Sequence, residues 1–161
     1  MKEHEGGMNM YARFAAMIVT STAVMFGLMY LNTYAWEHVR FSETRLWMAI
    51  VMGACMAGIM LGFMMSMMRD RRKNIAIFAI SGLAFVLALW LVRGQHTIDD
   101  VDYMKAMIPH HSIAILTSER ARIRDPRTRA LADEIIETQR REIAEMERLI
   151  EDIQRNGVRP S

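Results

Sequence analysis

Three stretches of the chain, 14–34, 46–68 and 74–92, contain no Asp, Glu, Lys or Arg. A helix needs roughly 20 apolar residues to cross the hydrocarbon core of a bilayer, so each is long enough. Beyond residue 92 the pattern changes, and apolar residues recur at steps of three and four among charges. Thr97 followed by Asp99, Asp100 and Asp102 forms a helix start, a cap with acids in the first turn. This helix continues through Tyr103, Met104, Met107, His111 and Ile115. Pro109 lies inside it and removes the amide that would bond to the Lys105 carbonyl, which predicts a kink. Asp125-Pro126 is a second start signal, with Asp as N-cap and Pro at the first helical position. From there Leu131, Ile135, Thr138, Glu142, Met146, Leu149 and Ile153 form a heptad-like stripe that ends before Gly157, the mark of a long helix packed on a partner.

The expected fold is all-α. A membrane anchor over 1–94 with three transmembrane helices is followed by an extracytoplasmic antiparallel helical hairpin over 95–161. Two helices do not enclose a core alone. A homodimer or higher homo-oligomer is therefore expected, in which two hairpins complete a four-helix bundle.

Charge orients this arrangement. Arg69-Asp70-Arg71-Arg72-Lys73 sets four positive charges between the second and third spans, whereas Arg40 and Arg45 in the first loop are balanced by Glu37 and Glu43. Basic residues in short loops stay cytoplasmic. The N-terminus is thus expected inside, and the loop with Trp36, Glu37 and His38 outside with the tail. Residues 95–161 carry 11 Lys and Arg against 13 Asp and Glu and form no basic face, which disfavours a nucleic-acid partner. One Cys, Cys55, excludes a disulfide framework within the chain and a Cys-based zinc site.

Seventeen Met stand out, and fourteen of them lie within the first 68 residues. Met48, Met52, Met56, Met60, Met64 and Met68 follow every fourth residue. Each step of four advances about 400°, so the ridge winds about 200° around the helix. Ala54, Gly58 and Gly62 form a small-residue ridge expected to pack on a neighbouring helix. Thioethers are soft ligands for Cu(I), but Met also packs as an adaptable apolar filler. Packing is the expectation here, because no His, Asp or Glu accompanies the ladder within the span.

The three Met outside the membrane read differently. Counted away from a turn near Arg124 and Asp125, His111 falls opposite Thr138, Met107 opposite Glu142 and Met104 opposite Met146. The polar interruptions of the second stripe thus meet thioethers and imidazoles. Thioether with imidazole suits Cu(I) or Ag(I), and imidazole with carboxylate would also take Cu(II) or Zn(II). The alternative is a packed core in which the Met are hydrophobes and His111 bonds to Glu142. His4, Met8 and Met10, and Glu37, His38 and His96, are expected on solvated surface. No nucleophile and base pair, phosphate loop or supported carboxylate dyad points to an enzyme.

The run from Tyr103 through Met107-Ile108-Pro109-His110-His111 to Ile115, followed by Leu131–Ile136 and Gln139-Arg140-Arg141-Glu142-Ile143-Ala144-Glu145-Met146, resembles the domain of unknown function 305 family over about 97–155. The three-span, Met-rich anchor is similar to those of some bacterial members. The resemblance implies a ferritin-like bundle outside the cytoplasm, on a bacterial plasma membrane. It also implies copper as the bound ion, Cu(I) above all, since some members are periplasmic copper-binding proteins that use Met and His. The matching positions are Met104, Met107, His110, His111 and Met146, with Gln139 and Glu142 as supporting residues behind the ligands. No Glu-x-x-His occurs, which disfavours di-iron chemistry. The expected function is membrane-anchored copper handling or tolerance without catalysis. The alternative is a metal-free interaction or scaffold module that partners another membrane protein.

Overall fold

The computed structural model describes residues 9–159. Among them are five α-helices and no strand: α1 (Met10–Leu28), α2 (Glu43–Met64), α3 (Arg71–Gly94), α4 (Asp100–Arg120) and α5 (Pro126–Asn156), with a 3-10 turn at Trp36–His38. The first three, of 19, 22 and 24 residues, are long and apolar enough to cross a membrane. Their ends differ from the charge-free stretches. The first helix stops at Leu28 rather than 34, and the second at Met64 rather than 68. Freedom from charge does not require helix, and the segment from 29 uses Tyr30 and Thr33 in local hydrogen bonds instead. At α3 the Asp70 carboxylate accepts from the amides of Arg72 and Lys73 at 3.1 and 3.2 Å, so the helix begins inside the basic run.

Two compact units emerge, and they do not follow a single cut near residue 94. One takes in Met1–Leu28 and Leu46–Gln95, the other Met29–Arg45 and His96–Ser161. The first unit has a core of Phe14, Leu61 and Met68, against which Tyr11, Ile18, Met60, Met64 and Ile77 pack. Tyr11 closes one end of it. Its hydroxyl donates to Asn74 Oδ1 at 2.9 Å and accepts from the Asp70 amide at 3.0 Å, while Asn74 Nδ2 donates to the Met68 carbonyl at 2.7 Å.

The close-packing ridge of α2 differs from the expected one. Ala49, Gly53, Ala57 and Leu61 are its buried residues. A methyl group added at Gly53 would collide with Thr22 Oγ1 of α1, whereas one added at Gly58 or Gly62 meets nothing within 4 Å. The small series Ala54, Gly58 and Gly62 therefore does not make the helix contact within the chain; a ridge shifted by one residue does. Along the methionine series Met48 is 39% exposed, Met52, Met56, Met60 and Met64 are half-buried, and Met68, beyond the end of α2, is 1% exposed.

In the second unit α4 and α5 pack around Ile108, Ile115 and Ile143, joined by Ile136, Met146 and Ile150. The Asp99 carboxylate caps α4 at the Asp102 amide, 2.8 Å away, and the Asp125 carboxylate caps α5 at the amides of Arg127 and Thr128. The helix α4 continues through Pro109, whose ring is fully buried. Face selection on α5 again differs by one residue. Ala132 and Ile143 are buried, while Leu131 and Leu149 of the expected stripe remain 57% and 45% exposed. The segment 29–45 lies against this hairpin. Ser112 Oγ, fully buried on α4, accepts from the Tyr34 amide at 2.7 Å and sits 2.9 Å from His38 Nδ1, and Arg40 faces Glu147 at 3.7 Å.

Candidate metal centre

His111 is held from both sides. Its Nδ1 lies 2.9 Å from the Met107 carbonyl oxygen, one turn back on α4. A carbonyl only accepts, so Nδ1 donates to it, and Nε2 faces a carboxylate, a contact that holds a proton between the two groups and that a metal on Nε2 would have to replace. Nε2 stands 2.9 Å from Glu142 Oε2 of α5, and Gln139 Nε2 donates to that same oxygen at 3.4 Å. The imidazole is 13% exposed and the carboxylate 41%, so the pair sits at the edge of the hairpin seam with one side open.

The count from the turn sets Glu142 opposite Met107, yet Glu142 meets His111, the pair that the packed-core alternative expects. Helix side chains lean toward the N-terminus of their own helix. In an antiparallel pair the His111 side chain therefore leans away from the turn and the Glu142 side chain toward it. Backbone positions about one turn apart thus bring their tips together. A contact nearer the turn that uses a carbonyl does not show this offset, for Arg129 Nη1 donates to the Ser118 carbonyl at 2.9 Å.

The remaining expected ligands occupy different surroundings. His110 is exposed, and its ring centroid lies 6.3 Å from that of His111, edge to face. Met104 is buried and Met107 half-buried, both on α4. Met146 packs against the isoleucine core. Among the described residues no three His, Cys, Asp or Glu side chains gather into a metal-holding group. The donors that meet here are one imidazole nitrogen and one carboxylate oxygen, with the Met107 thioether one turn back on the same helix. That mixture suits a soft or borderline ion rather than Mg(II) or Ca(II).

Sequence reasoning missed Ser112 and His38. His38 was expected on solvated surface, but it is half-buried and tied to Ser112. The signal was present on α4, where Met104, Ile108, Ser112 and Ile115 share one buried stripe and a hydroxyl on such a stripe needs a partner. Ser112 Oγ already takes the Tyr34 amide and is wholly enclosed, which makes this pair a tether between loop and helix. His4 and Met8 lie outside the described residues, and Met10 is exposed.

Comparison with known proteins bears on the hairpin. Residues 100–161 match the family described as Domain of unknown function (DUF305). Over 69 residues, 42% of this chain, the sequence is 41% identical to an uncharacterized protein of Acanthamoeba polyphaga mimivirus. That stretch covers 45% of the viral protein, so the chain spans less than half the length of this relative. No solved structure matches the chain significantly.

Proposed function

We propose that this is a membrane-anchored, copper-binding protein whose helical hairpin takes Cu(I) outside the cytoplasm and serves copper handling or tolerance. The observation that carries this reading is the posture of His111. Its Nδ1 is pinned to the Met107 carbonyl and its Nε2 is aimed at Glu142, with Met107 and the second imidazole of His110 beside it. Pinning one ring nitrogen to a carbonyl is how proteins orient the other toward a metal. Glu142, steadied by Gln139, then supplies a neutralising charge.

The placement assigned to the chain is a bacterial plasma membrane, N-terminus inside and hairpin outside, with the lipid bilayer as its first partner. The run Arg69–Lys73 supports that orientation. A second copy packing on the outward Leu131 and Leu149 would complete a ferritin-like four-helix bundle.

One observation favours the scaffold reading. The His111 and Glu142 pair is already closed on itself, and Met146 is engaged in the apolar core. Titration of Cu(I) into the full-length protein in detergent, against a competing chromophoric chelator, separates the two readings. The copper reading expects His110→Ala/His111→Ala to lose about one equivalent of bound Cu(I). Stoichiometry and affinity indifferent to both histidines would favour the scaffold.

A further inference from the structure

A groove of about 340 Å3 runs along α2, lined by Met52, Cys55, Met56, Ile59 and Met60. Met52 is the helix neighbour of both Cys55 at i+3 and Met56 at i+4, spacings that put Cβ atoms about 5–6 Å apart. Cys55 is free and exposed, and Met52 and Met56 are half-buried. The core of the membrane unit uses Met60, Met64 and Met68, and neither Met52 nor Met56 belongs to it. Packing within the chain therefore accounts for Met60, Met64 and Met68, and leaves Met52, Cys55 and Met56 along an open groove.

We propose that Met52, Cys55 and Met56 form a second soft-metal site, a three-sulfur site for Cu(I) or Ag(I) near the middle of α2. It does not rest on the hairpin reading, because it shares no residue with it. One thiolate and two thioethers match a soft monovalent ion and suit hard cations poorly. No His, Asp, Glu, Lys or Arg occurs over 46–68 to recruit a harder ion. On binding, the S–H bond of Cys55 breaks and an S–metal bond forms, while the proton leaves to water. The charges of thiolate and monovalent ion cancel, so the occupied site is neutral in surroundings where either charge alone would be costly.

Cys55 is the only thiol in the chain, so alkylation by a membrane-permeant maleimide reports on it alone. In the full-length protein in lipid nanodiscs, oxygen-free Cu(I) or Ag(I) is expected to slow that alkylation at least about tenfold, and Zn(II) to leave it unchanged. Met52→Leu/Met56→Leu, which conserves volume, restores the metal-free rate. His110→Ala/His111→Ala retains the protection, which separates this site from the hairpin. A second readout is sulfur-to-copper charge-transfer absorption in the near ultraviolet, lost in Cys55→Ser. Alkylation indifferent to Cu(I) and Ag(I), protection that survives loss of both methionines, or protection abolished by the histidine variant would each overturn the proposal.

Discussion

Ser112 puts a hydroxyl on a stripe that is otherwise apolar, and the loop 29–45 answers it with the Tyr34 amide and the His38 ring. Replacing Ser112 with Ala removes the acceptor of the part-buried Tyr34 amide, a loss of about 1 kcal/mol. The expected outcome is a lower melting temperature together with faster hydrogen exchange at Tyr34. Unchanged exchange at Tyr34 would show that the tether carries no stability. Asp125 makes a pH-dependent prediction. The Arg127 side chain, followed by the Thr128 and Arg127 amides, holds its carboxyl below the ordinary value of 3.8. A carboxyl depressed on folding contributes stability above its unfolded value, and that contribution is lost as pH falls through the folded one. Asp125→Ala should therefore melt below wild type at neutral pH, and the gap should close on acidification below about 3.8. A gap that persists in strong acid would assign the effect to something other than the charged cap.

Among the elements, the meeting of α1 and α2 at Gly53 is the most sharply defined. Thr22 is β-branched and stiff about its first side-chain torsion, so Gly53→Ala is expected to cost about 1–3 kcal/mol through overpacking. Gly58→Ala, with open space around it, should be neutral in the same unfolding assay, and Thr22→Ala should rescue Gly53→Ala. Equal effects at Gly53 and Gly58 would contradict this packing. The contrast also shows how far sequence carries. The start of α5 was legible because Pro126 follows Asp125, whereas at α4 the cap is Asp99 rather than Thr97, and at α3 Asp70 caps from inside a run that reads only as charge. Which face of a helix packs was not, since Ala49-Gly53-Ala57 and Ala54-Gly58-Gly62 carry the same small-residue spacing. Only the position of Thr22 distinguishes them. Likewise the His111 and Glu142 pair is legible as the packed-core alternative, but choosing it over the register count, which sets His111 opposite Thr138, takes the direction in which side chains lean.

For the molecule as a whole, the grouping of Met29–Arg45 with His96–Ser161 means that the first loop and the hairpin occupy one compact unit. In a membrane they must then share a side, as three spans require. In the proposed orientation, with the basic run at 69–73 inside, that side is the exterior, so an alkaline-phosphatase fusion after residue 159 is expected to be active, and an inactive fusion would reverse the proposal. The same loop also covers part of the hairpin, where the Tyr34 amide and the His38 ring meet Ser112. The central claim concerns copper at His111. Its most direct measurement is Cu(I) affinity of the full-length Cys55→Ser protein in nanodiscs, where only the hairpin donors remain in play, compared with the same protein carrying His111→Ala. Binding tighter than micromolar, weakened at least about tenfold by His111→Ala, is the predicted result. Binding that is absent, or unchanged without His111, would contradict it and leave the hairpin as a scaffold.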